Sequence, residues 1–200
     1  MWRQVGSSVA LGAGFGAVTS LVNDVSSQYG LLGSRLIDIP GWAPVTKVAS
    51  QLLDAGWAWA ALAVAAGWLA RTPLRGAIAG PLALIAATAA YFVMDSVLRG
   101  DPLLQFEVLV WWVASLIFGA PLGVIGAGIR RPGAIGLLAA LTVPIGATVQ
   151  MIWLPPGSGG PAVYNTTRVI VWVAAAVMAA VVLARFLMTQ RRRTGMQHVS

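Results

Sequence analysis

The chain has no cysteine, one histidine and only six acidic residues. Without cysteine there is no disulfide, iron–sulfur cluster or thiolate zinc site. With His198 alone in the polar tail, a multi-histidine metal centre or a haem pair is excluded too. No D-D-x-x-D run is present to hold magnesium on a diphosphate, and there is no D-x-D-D acid motif, nucleophile elbow or P-loop. The G-A-G-F-G of residues 12–16 lies inside an apolar stretch, which is the wrong context for a nucleotide-binding turn. No cofactor and no metal are expected.

Charge is scarce and apolar runs are abundant. Charged residues make up 10% of the chain and hydrophobic ones 58%, a balance that belongs to membrane proteins. The 200 residues read as one integral membrane domain, 1–200. A net charge of +7 raises the question of nucleic acid, but the basic residues cluster at loop ends between apolar segments, so no nucleic-acid partner is expected.

Roughly 20 apolar residues cross the hydrocarbon core as a helix. Six candidate spans follow, at about 5–22, 48–70, 74–94, 104–129, 133–154 and 167–189. The expected fold is therefore an all-α polytopic bundle of six transmembrane helices. Arg3, Arg71, Arg75, Arg130, Arg131, Arg185 and Arg191–Arg193 fall on one side with no acid among them. All six acids share the other side with Arg35, Lys47, Arg99 and Arg168. The positive-inside rule then places both termini in the cytoplasm and the protein in the cell's inner (plasma) membrane as a multi-pass protein, in contact with the lipid bilayer. Residues 23–47 read as an outer capping segment, 155–164 as a Pro/Gly loop, and about 190–200 as a basic cytoplasmic tail.

Small residues recur four apart at Gly12/Gly16, Ala13/Ala17, Gly76/Gly80 and Gly119/Gly123, a spacing that lets helix backbones approach closely in lipid. Internal bundle packing is the expected use, and docking of another subunit, including a homo-oligomer, is the other one.

Four acids, Asp24, Asp54, Asp95 and Glu107, fall at or just inside the ends of apolar segments, where a carboxylate is costly. Residues three or four apart share a helix face. On that spacing Asp54 pairs with Trp57, Asp95 with Tyr91, Glu107 with Trp111, Gln150 with Trp153 and Arg168 with Trp172. If these stripes face inward, the bundle encloses an aromatic-walled cavity with carboxylates at its rim. Trp42, Trp59 and Trp112 read as an interfacial belt, and Asp38 and Asp101 as solvated loop residues.

Desolvation penalises the charged form of a carboxyl group, so an acid in dry surroundings can keep its proton and act as a Brønsted acid. Aromatic faces stabilise cations. Together these are the requirements of protonation-initiated isoprenoid cyclisation, with a lipophilic prenylated substrate drawn from the bilayer. Asp95, Glu107, Asp54 and Asp24 are the candidate catalytic residues. Asn23, Trp57, Tyr91, Trp111, Gln150, Trp153 and Trp172 are the candidate substrate-binding ones.

In size, span number and isolated membrane carboxylates, such as Asp95 in AAYFVMDS and Glu107 in LQFEVLVWW, the chain resembles the small bacterial membrane-bound terpene cyclases. The resemblance implies a helix bundle that cyclises prenylated natural products without a metal. The same spans, ends and outward polar site also suit the substrate-binding subunit of a vitamin-type uptake transporter, with 23–47 as its lid.

Overall fold

A computed structural model of the chain describes residues 2–36, 38–103, 105–157 and 159–197, with side chains within residues 6–190. The side chains of Arg3 and Arg191–Arg193, and all of His198, lie outside the described residues. Every regular element among the described residues is helical: α1 (Trp2–Val25), α2 (Gly33–Leu36), α3 (Trp42–Asp54), α4 (Gly56–Ala70), α5 (Pro73–Arg99), α6 (Phe106–Gly128), α7 (Ala134–Trp153) and α8 (Gly160–Gln197).

Five of these helices, α1, α5, α6, α7 and α8, are long and apolar enough to cross a membrane. The sixth expected span is not one rod. The α3 and α4 helices meet at a 51° bend, and α4 alone, at 15 residues, reaches only about 22 Å against a hydrocarbon core of about 30 Å. Ala55 is extended at the junction (φ −67°, ψ 139°) and offers no side chain to cap α4. Gln150 of α7 supplies the missing acceptor, its Oε1 taking the backbone N–H of Trp57 at 2.7 Å. The break therefore depends on a residue almost a hundred positions away, which is why the apolar run 48–70 reads as continuous in sequence.

The bundle is closed by small residues. A Cβ on Gly12 or Gly16 would strike the carbonyls of Ala83 or Ala87, so α1 lies backbone-to-backbone on α5. Gly67, Gly76 and Gly80 meet Gly123 and Gly119 in the same way, and Gly126 meets Val64, which locks α6 to α4 and α5. Three of the four small-residue pairs thus serve internal packing. The core between these helices is made of Leu62, Ala63, Ala66, Ala79, Ala83 and Leu84. A second cluster of Leu52, Trp57, Ala147, Met151 and Val171 attaches α7 and α8 through α3 and α4. The outer faces of α6 and α8 carry exposed Leu, Ile and Val, as lipid-facing surfaces require.

The helix ends sort by charge. Arg71, Arg130 and Arg131 occupy the turns between α4 and α5 and between α6 and α7, and Arg75 sits in the first turn of α5. Arg130 there donates from Nε to Trp68 O at 3.1 Å and stacks 4.4 Å over the Trp68 ring. At the opposite end α5 runs one turn past its expected limit to Arg99 and stops at Gly100 (φ 77°), whose N–H donates to Ser96 O. That extra turn puts Asp95 and Arg99 on one face, at the acidic end of the bundle.

Candidate functional site

The close approach of α6 to α4 and α5 is confined to the basic half, where the glycines are. Toward the acidic end the facing positions carry Trp59, Thr88, Tyr91 and Phe92 on α4 and α5, and Trp111, Ser115 and Phe118 on α6. These side chains hold the backbones apart and leave a cavity of about 770 Å³. Its walls are aromatic and aliphatic, and its rim carries Asp54, Asp95, Asp101, Glu107 and Arg99.

The aromatic wall is a connected set. Phe15 of α1 meets Trp59 edge-on (5.4 Å, 89°), Trp59 meets Tyr91 at 6.5 Å, and Tyr91 meets Phe92 at 5.5 Å. Edge-to-face contacts of this kind fix ring orientation, so the cavity wall is preformed. On the opposite side Trp111 of α6 is 57% exposed and Phe118 62% exposed, so the α6 wall separates the cavity from the outer surface of the bundle.

A second, polar cavity of about 460 Å³ adjoins the first and shares Asp54, Tyr91 and Arg99 with it. Asn23 organises this chamber. Its Nδ2 donates to Tyr91 Oη at 3.1 Å, its Oδ1 accepts from Ser50 Oγ at 2.6 Å, and its side chain also hydrogen-bonds Asp54. One asparagine thereby joins α1, α3 and α5. Lys47, Gln51 and Gln150 complete the polar lining, and Gln51 Oε1 accepts from Thr167 Oγ1 of α8 at 2.7 Å.

The four candidate acids occupy three different settings. Asp24 is fully buried, and its two carboxylate oxygens accept the backbone N–H groups of Leu31 (3.0 Å) and Leu32 (2.9 Å). It holds the turn after α1 in place. Arg99 Nε stands 3.9 Å from Asp24 Oδ1 and 3.2 Å from Asp95 Oδ1, so one guanidinium spans two carboxylates. Asp95 is buried, and its Oδ1 receives no hydrogen bond, the Arg99 contact being one of charge and not of hydrogen-bond geometry. Asp54 and Glu107 open onto the cavity, and among the described residues no cation lies within ion-pair distance of either, Lys47 facing Asp54 across the polar chamber.

The structure thus brings Asp54, Tyr91, Asp95, Glu107 and Trp111 to the large cavity, and Asn23 and Gln150 to the polar one. Three expected tryptophans lie elsewhere. Trp57 packs into the α7–α8 cluster, Trp153 is 79% exposed, and Trp172 faces outward with Arg168 stacked 4.4 Å over its ring. The one-turn spacing of polar and aromatic residues therefore holds as a cavity signature only on α5 and α6. Trp59 reverses the expectation, being a cavity wall and not a belt residue. Asp101 is exposed in its loop, as expected, and also sits at the cavity rim. Arg99 was readable from its i, i+4 spacing to Asp95. Trp59 could have been placed only by knowing that α3–α4 bends.

Among the described residues no three of His, Asp and Glu converge as a metal site. Comparison with protein-family models, with curated proteins and with solved structures found no match.

Proposed function

We propose that the protein is a membrane-embedded cyclase that takes a lipophilic prenylated chain from the bilayer and cyclises it by protonation. Its orientation would be that of the arginine-rich end in the cytoplasm and the acidic end facing outward, in the plasma membrane. The observation that carries the reading is the junction at Asp54. This carboxyl group stands between a polar chamber and an aromatic-walled, apolar one. A proton can reach it from the wet side and leave it on the dry side.

In this reading the Asp54 O–H bond breaks and a C–H bond forms at a substrate alkene, or an O–H bond at an epoxide. The resulting cation lies against Trp59, Tyr91 and Trp111, whose π-faces lower its energy by up to about 2 kcal/mol each when water is excluded. Asp95, which shares the cavity rim with Asp54 and lies beside Arg99, is the second carboxylate and accepts the final proton. The proton then returns from Asp95 to Asp54 along the rim that both line, and the product is an isomer of the substrate. Glu107 at the first turn of α6 closes the rim.

Membranes carrying the wild type, Asp54→Asn and Asp95→Asn, incubated with linear prenylated compounds and their epoxides, test this by chromatography with mass detection. A product of unchanged mass and shifted retention, absent from both variants, is expected. Undiminished product from the variants removes these residues from the mechanism. The polar chamber also supports the second reading, a substrate-binding subunit of a small-molecule transporter. That reading requires saturable binding of a water-soluble ligand that Lys47→Met or Ser50→Ala weakens.

A further inference from the structure

We infer that the large cavity is a binding site for a lipophilic organic cation, a monovalent ammonium attached to an alkyl or isoprenoid chain. The inference rests on the charge and walls of the cavity and not on the reaction assigned to it.

Among the described residues the rim presents Asp54, Asp95, Asp101 and Glu107 against one cationic side chain, Arg99, with Lys47 facing Asp54 from the adjoining polar chamber. Arg99 is already engaged by Asp95 and by Asp24, which lies outside the cavity lining, so Asp54, Asp101 and Glu107 remain as the rim's exposed acids. An anionic ligand would meet an excess of carboxylates, and a neutral one would leave them unpaired.

The walls decide which cation. A small inorganic ion needs a cage of oxygen ligands, and the residues below the rim are Trp59, Leu84, Phe92 and Phe118. A diffuse organic charge is stabilised by ring faces and carboxylates together, without losing a tight hydration shell. At about 770 Å³ the cavity has the volume of a small-molecule site. The exposed Trp111 and Phe118 place its α6 wall toward lipid, from which an alkyl chain can enter.

The test uses the full chain in nanodiscs of zwitterionic lipid, titrated with dodecyltrimethylammonium, dodecanol and dodecyl sulfate. Binding is read by calorimetry against empty nanodiscs. The cation should bind about tenfold more tightly than the alcohol, and the sulfate most weakly. Glu107→Gln and Asp101→Asn, both at exposed positions, should each weaken the cation by about threefold and leave the alcohol unchanged. Equal binding of cation and alcohol, or variants that bind the cation as the wild type does, overturns the inference. Because binding is measured without turnover, the two ideas separate: cation selectivity without any isomer product sinks the cyclase alone, and isomer product without cation selectivity sinks this inference alone.

Discussion

The backbone N–H of Trp57 donates to Oε1 of Gln150, 2.7 Å away on another helix. A capping role normally performed by the residue before a helix is here performed by α7. Replacing Gln150 with Met keeps the side-chain length and removes the acceptor, at a cost of about 1–2 kcal/mol. A lower thermal midpoint in detergent is the expected result, and an unchanged midpoint would show that α4 needs no such cap.

Asp24 is held by two backbone donors and faces Arg99 in a fully buried setting. Asp24→Ala leaves two N–H groups without partners and removes one of the two charges opposing Arg99. The expected loss is about 3–5 kcal/mol, visible as a fall in folded yield on size-exclusion chromatography. Asp95→Asn keeps a polar side chain beside Arg99 and should remain folded.

Gly123 stands against the backbones of both α4 and α5. Gly123→Val should separate α6 from the bundle and abolish the folded species. Gly146, with nothing within 4 Å of its would-be Cβ, is the matched control. Gly146→Ala should be neutral or stabilise α7 by about 0.5–1 kcal/mol. Parallel thermal scans of the two variants check the contrast.

Trp59 and Trp153 separate cavity from surface. Trp59→Ala should lower isomer formation and cation binding together, by at least about tenfold for the aromatic contact and the lost wall. Trp153→Ala, at a position 79% exposed, should leave both as they are. Equal effects from the two would mean that the aromatic wall has no special part.

The helical, membrane character of the chain and the gathering of acids at one end were legible in the sequence, because length, apolarity and charge sidedness are properties of single segments. The glycine contacts were legible as a spacing, though not as to which helix each would meet. What sequence concealed were relations between segments. Asp24 looks like a free acid until Leu31 and Leu32 turn back to it. Trp57 and Trp59, two residues apart on a short helix, go to different clusters, and the phase of that helix is set by the bend at Ala55. Gln150 reads as a binding residue when only its neighbour Trp153 is considered, and as a cap once Trp57 is found beside it.

The glycine contact at Gly123 lies twelve residues along α6 from Trp111, or about 18 Å of helix. The close backbone contacts of α6, at Gly119, Gly123 and Gly126, all lie in its second half, so Trp111 stands at the far end of a lever arm. A tilt of about 10° at the fulcrum carries Trp111 through about 3 Å, enough to open or shut a gap the width of an alkyl chain. The tilt of a membrane helix answers to the thickness of the surrounding bilayer. Cation binding is therefore expected to differ between nanodiscs of short-chain and long-chain lipid, and equal binding in the two would show that α6 does not respond to bilayer thickness.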